Sequence, residues 1–329
     1  MAPADRFTAE YSKRLGTLRG EQLQAALDRF DLGLLVDAAP ATGGLSGQNV
    51  FLRTTKGDWV LRGCPHYPWQ FDKERFFAQL ICERTRVPAP WPYLIETSDV
   101  LFGWRYALMP RLPGTSEPAT TPEGRIARAR AMGSTLAELH GIVWEHCGEF
   151  LPEPATVVPR DPPWPDWKIR DLYGWLERAR AHSDATTEAD AEWIDEIVYA
   201  HSDALEEPFE PTYVHHDFRE ANTVAQPDGP GFRVTGVFDL MEGYFGDPEE
   251  DLVRAVWEYA SNGRVDCSRT YVAAYQAERP LRPGARDRFR VYMLHDCLVL
   301  WEYGLRAGTF PPQVCFRDVA EHFVSLEIL

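Results

Sequence analysis

The stretch YVHHDFREAN, residues 213–222, sets His215, Asp217 and Asn222 in one short loop with apolar flanks. An Asp and an Asn in a loop commonly do no more than close turns on their own backbone. Phosphoryl transfer from a nucleotide gives this spacing a second meaning. It needs a carboxylate to orient and deprotonate an acceptor hydroxyl, and oxygen ligands to hold Mg2+ against the phosphates. Asp217 can do the first. Asn222, five residues on, can share its cleft, and Asp239 follows at the end of the next apolar strand, FRVTGVFDL, as a second oxygen ligand. The order parallels the kinase pattern His-Arg-Asp-Leu-x-x-x-Asn followed by Asp-Phe-Gly.

Upstream of this loop the chain changes character twice. Leu23, Ala26, Leu27 and Phe30 lie at helical spacing, and β-type runs then alternate with Gly and polar turns through residue 63. Lys-Gly-Asp in TTKGD (54–58) turns strand 50–53 into strand 59–62. FDKERFFAQLICERT presents Phe76, Phe77, Leu80 and Ile81 on one helical face, VPAPWPY breaks it, and strands YLIET and RYALMPRL follow. Beyond PGTSEPATTPEG (113–124) helical patterns dominate: 125–142, WKIRDLYGWLERARAH, DAEWIDEIVYAHSDAL, and three more past residue 248. The segment 151–167, with six prolines, reads as an ordered surface loop, and TYVHHDF…NTVAQ with FRVTGVFDL as one strand pair among the helices. The expected architecture is α+β and bilobal: a small antiparallel β-sheet lobe over 1–110 and a larger, mainly helical lobe over 111–329.

Composition narrows the partners. Across 329 residues the net charge is −16, which argues against a nucleic-acid ligand, since that asks for a basic stripe. No apolar run is long enough to span a membrane, and residues 1–16 lack the apolar core of a signal peptide, so a cytoplasmic protein is expected. The six cysteines, at 64, 82, 147, 267, 297 and 315, form no Cys-x-x-Cys pair and read as buried free thiols.

HHDFREAN, VFDLMEGYF and GDPEEDL (246–252) together resemble the aminoglycoside phosphotransferase family of protein-kinase-like small-molecule kinases. That family carries a His-Gly-Asp-x-x-x-x-Asn loop, an Ile-Asp-Phe or Ile-Asp-Trp strand end and a Gly-Asp-Pro-x-x-Asp-Leu helix start. VPAP (87–90), LMPRLPG (108–114) and LAELHG (136–141) extend the resemblance over most of the chain, loosely closest to the hygromycin-type branch. It implies that Asp217 is the catalytic base, that Asn222 and Asp239 bind Mg2+, and that His215 supports the loop. It also implies that Arg62, where the family often has Lys, pairs with Glu74 and reaches the nucleotide phosphates. Met109 to Leu112 would be the hinge that holds the base of ATP, with GTP left open. ATGGLSGQN (41–49), with Ser46, is either a phosphate-facing loop or a plain tight turn. His216 stands where the family has Gly, and Leu240 replaces an aromatic. Asp247 and Asp251 read as helix N-caps.

The acceptor implied is a small molecule, most simply a cationic aminoglycoside-type antibiotic, with sugars, amino alcohols and macrolides as alternatives. Carboxylates and aromatic faces suit ammonium groups, which singles out Glu242, Trp257, Glu258, Asp296, Trp301 and Glu302, although aromatics at helical spacing are more often core. A nucleotide-binding pseudokinase is disfavoured because Asp217, Asn222 and Asp239 are all present. A protein kinase is disfavoured because no Ala-Pro-Glu segment follows Asp239.

Overall fold

The computed structural model describes residues 7–41, 47–311 and 313–329. A hairpin of β1 (Ala9–Ser12) and β2 (Gly16–Leu18) and helix α1 (Gly20–Asp28) precede a sheet of β3 (Leu35–Pro40), β4 (Asn49–Thr54), β5 (Gly57–Gly63), β6 (Leu94–Glu96) and β7 (Tyr106–Pro110). The order is β3-β4-β5-β7-β6, antiparallel throughout. Period-2 alternation decides which core each residue enters. Tyr106 and Leu108 of β7 join the core under α1, whereas Ala107 and Met109 face helix α2 (Gln70–Arg84) and the rest of the molecule. Phe77 of α2 lies against Tyr213 and Phe245, so this helix ties the sheet to the region of the 215–222 loop.

The remainder comprises α3 (Pro122–Leu139), β8 (Gly148–Leu151), β9 (Thr156–Pro159), α4 (Asp166–His182), α5 (Glu188–His201), β10 (Thr212–Val214), β11 (Thr223–Asp228), β12 (Gly231–Val237), β13 (Tyr244–Gly246), α6 (Leu252–Ser261), α7 (Val265–Glu278), α8 (Ala285–Ala307) and α9 (Phe316–Val324). Thr121 caps α3 by accepting from the Gly124 amide, with Pro122 in the first turn. Gly133 lets α3 approach α7 closely, since a Cβ there would lie 2.2 Å from the Tyr271 carbonyl oxygen. The fold is the expected α+β, protein-kinase-like arrangement.

Four expectations need correction. The proline-rich 151–167 segment is not all loop: β8 and β9 form a hairpin there, with Pro159 on the edge strand of the order β10-β13-β8-β9, where a missing N–H costs nothing. Thr212–Val214 pairs with β13, not with the FRVTGVFDL strand, which pairs with β11. Four helices, not three, follow residue 248 among the described residues. Of the six cysteines only Cys267 and Cys297 are buried; Cys64, Cys147 and Cys315 are partly exposed and Cys82 is exposed.

Candidate active site

The loop over residues 215–222 follows β10 and is tied down by one carboxylate. Asp251 accepts from the amides of His215 (2.5 Å) and His216 (2.6 Å), and His140 Nε2 lies 3.3 Å from it. Asp251 is thus not the local N-cap that its place before an apolar helix suggested; its side chain makes no cap bond to α6. Asp247 does accept from the Glu249 amide, and it also binds Arg282 and the Tyr292 hydroxyl. His215 is fixed by two bonds that a single neutral tautomer satisfies: Nδ1 accepts from the Asp217 amide (3.3 Å) and Nε2 donates to the Phe238 carbonyl (3.1 Å). His216 takes φ +68°, the left-handed region where the family's Gly costs nothing. Its ring packs on Tyr244 and His295, and burial pushes its imidazole well below the ordinary histidine range, so it is neutral.

Asp251→Ala leaves one buried and one part-buried amide without acceptors, and is expected to cost about 3–5 kcal/mol of stability, as for a broken buried charged contact. Asp251→Asn keeps one carbonyl acceptor and should cost less. Thermal unfolding midpoints rank the two variants, and equal midpoints would remove Asp251 from this role.

Asp217 and Asn222 converge as expected: Asn222 Nδ2 donates to Asp217 Oδ2 (2.6 Å) and to its backbone oxygen (2.9 Å). Oδ1 of Asp217 faces Arg219 Nε (3.0 Å) and Arg254 Nε (3.4 Å). Asp239 reaches the same place because the Phe238 amide donates to the Asn222 carbonyl (3.1 Å), after which the chain turns left-handed at Asp239, φ +65°. From the sheet, Arg62 binds Glu74 (3.0 Å) and Asp239 (2.7 Å) together. Gln70 donates to the same Glu74 oxygen as Arg62, Oε1 (2.9 Å), and the Tyr93 hydroxyl donates to Oε2 (2.6 Å). Burial disfavours charge on Asp239, but Arg62, with His215 and Arg219 beside it, outweighs that and the carboxyl is held below its ordinary value. Glu74 is raised by burial despite Arg62. The Arg62–Glu74 pair is therefore present in the geometry, with Asp239 as a third member that the sequence did not reveal.

Met109 lies on β7 opposite Val60, and β6 accompanies β7 only as far as Leu108. Leu112 packs on Gly236 of β12, where a Cβ would clash. Ser46 falls outside the described residues. Glu242 is exposed and lies near Asp239 and Asp217; its carboxyl is raised, first by desolvation and then by those two carboxylates, with Lys73 opposing.

The other residues expected to meet the acceptor have internal duties. Trp301 is buried and donates to Thr186; Trp257 packs on Phe323. Glu302 is held by Arg306 (2.8 Å) and His182 (3.2 Å). Glu258 accepts from the Glu220 amide (2.7 Å) with Arg219 near, and Asp296 is paired with Arg254 (2.8 Å). His216, Glu250 and His295 bring ligand atoms within 4.8 Å of one another. Lys168 Nζ, however, already contacts Glu250 and lies 3.0 Å from His295, so a fixed ammonium takes the place of a cation there.

An antiparallel sheet carrying a buried cation–carboxylate pair, set over a loop with Asp, Asn and a following Asp, defines a protein-kinase-like phosphotransferase. A family model for the phosphotransferase enzyme family matches residues 37–291, and the chain belongs to that family as a small-molecule kinase. A homoserine kinase of Paraburkholderia phytofirmans is 28% identical over 313 residues, covering 84% of this chain and 85% of that one. Among solved structures, the aminoglycoside phosphotransferase APH(4)-Ia in a ternary complex with ADP and hygromycin B has a TM-score of 0.62 at 19% identity, covering 91% of this chain and 96% of that one. A GDP complex of aminoglycoside 2'-phosphotransferase IIIa has a TM-score of 0.62 at 14% identity, each chain covered to 93%. Among the described residues no helix is long and apolar enough to cross a membrane.

Proposed function

We propose that this protein transfers the γ-phosphoryl group of ATP to a hydroxyl of a small molecule, with residues 1–110 serving the nucleotide and 111–329 the acceptor. The observation that carries this reading is the convergence of Asp217, Asn222 and Asp239 beneath the Arg62–Glu74 pair. Asp217 takes the proton of the attacking hydroxyl. Arg62 exchanges its contact with Asp239 for the phosphates while Glu74 keeps the guanidinium in place. The backbone from Met109 to Leu112 receives the base, and GTP remains an alternative donor. The donor set fits Mg2+: Arg62 occupies only Oδ1 of Asp239, and Asn222 uses its amide nitrogen towards Asp217, leaving hard oxygens on both residues. Held there, Mg2+ would supply positive charge against that of the phosphates.

The acceptor we favour is a small hydroxylated compound of amino-acid size, as the name of the homoserine kinase relative suggests. The paired state of Glu258, Asp296 and Glu302 supports this, because a polyammonium ligand needs carboxylates without internal partners. The exposure of Glu242, and the fold shared with a hygromycin B-binding enzyme, support an aminoglycoside as the second reading. Following ADP release from Mg·ATP with L-homoserine, other amino alcohols, sugars and hygromycin B tests both. Stimulation by the amino alcohols alone is expected, stimulation by hygromycin B alone selects the second reading, and ADP release that no acceptor stimulates contradicts both.

A further inference from the structure

Asp217 is faced by a guanidinium that belongs more to another residue. Arg254, on α6, places Nε 3.4 Å from Asp217 Oδ1 and an amino group 2.8 Å from Asp296 Oδ1, on α8. Both members of the second pair are more than nine-tenths buried. Arg254 Nε and Asp296 Oδ2 have no hydrogen-bond partner. The bridge is therefore lopsided, tight at Asp296 and loose at Asp217. A buried guanidinium presents a planar fork that prefers to close on one carboxylate with two parallel bonds. Here Asp296 holds one edge and keeps that closure from happening at Asp217.

We propose that Asp296 is a positioning residue for phosphoryl transfer: by retaining Arg254 it lets the guanidinium orient the Asp217 carboxylate without closing over the oxygen that must receive the acceptor's proton. The proposal rests on the reading of Asp217 as the base. Asp296 is faced by Arg254 from α6, by Asp217 from the loop, by Lys168 from α4 and by Glu250 from the turn before α6, with Cys297 next to it in sequence. Burial raises its carboxyl to about 6, against the pull of Arg254. Its charged form, the one that retains Arg254, is therefore present above that pH and lost below it.

Asp296→Asn is expected to lower kcat roughly 10- to 100-fold while the KM for ATP stays constant. The double variant Asp296→Asn, Arg254→Gln should turn over faster than Asp296→Asn alone, because no guanidinium remains to close on Asp217. Rates are read as ADP release from Mg·ATP with L-homoserine and with water as acceptor, well below each variant's unfolding midpoint. The wild-type kcat should fall as pH drops through about 6, and that limb should vanish in Asp296→Asn. A crystal structure of Asp296→Asn gives a readout independent of turnover: both nitrogens of the Arg254 fork should lie in hydrogen-bond range of Asp217. An unmoved Arg254, an unchanged kcat, or a double variant no faster than the single one would overturn the proposal. Should Asp296→Asn fail to fold, a wild-type profile flat through pH 6 would do the same. Failure of the underlying reading is distinguishable, since it would appear as full turnover in Asp217→Asn.

Discussion

Asp217→Asn lowers kcat by about 10³- to 10⁴-fold, at the upper end of what a positioned base contributes, and leaves nucleotide binding intact. The separation is expected because the groups assigned to the nucleotide, Arg62, Glu74 and the Met109–Leu112 backbone, make no contact with the Asp217 side chain, whose partners are Asn222, Arg219 and Arg254. An amide in its place can keep the shape of the loop and still accept a hydrogen bond, but its oxygen is too weakly basic to take the acceptor's proton at neutral pH. Single-turnover rates and ATP titration by intrinsic fluorescence read the two quantities separately. A variant within a few-fold of the wild-type rate would mean that another group is the base.

Asp239→Asn is the second large effect. The substitution removes one charge from the set assigned to Mg2+ and from the buried triad with Arg62 and Glu74. Loss of a charged group that stabilises developing charge costs about 10²- to 10³-fold in kcat. The Mg2+ concentration for half-maximal rate should rise in parallel, whereas Asp217→Asn should leave it unchanged. If both variants shift the metal dependence equally, or neither does, the division of labour between the two aspartates is wrong.

The parts of the site that lie close in sequence were legible before any coordinates. Asp217 and Asn222 share one loop, and Asp239 follows on the strand that pairs next to it, so residue type and spacing carried the message. Contacts between distant elements were not. Asp239 bonds Arg62 across 177 positions, and nothing near either residue announces it. Asp251 looked like a cap because capping is a local pattern, yet its partners are amides 35 and 36 residues upstream. The expected acceptor carboxylates show the same limit: an acidic side chain is visible in a sequence but the cation that pairs with it is not. Asp296 and Glu302 each prove to have one. The hairpin within 151–167 was missed because prolines were weighed as breakers without an edge strand to accommodate them.

The most direct test of the account is a crystal structure with a non-hydrolysable ATP analogue and Mn2+ in place of Mg2+, the cation located by its anomalous scattering. The account predicts a peak within about 2.1–2.2 Å of oxygens of both Asn222 and Asp239, touching the phosphates, with the Asp217 carboxylate turned towards the γ-phosphate. A cation bound elsewhere, or an Asp217 carboxylate facing away from the γ-phosphate, would contradict it.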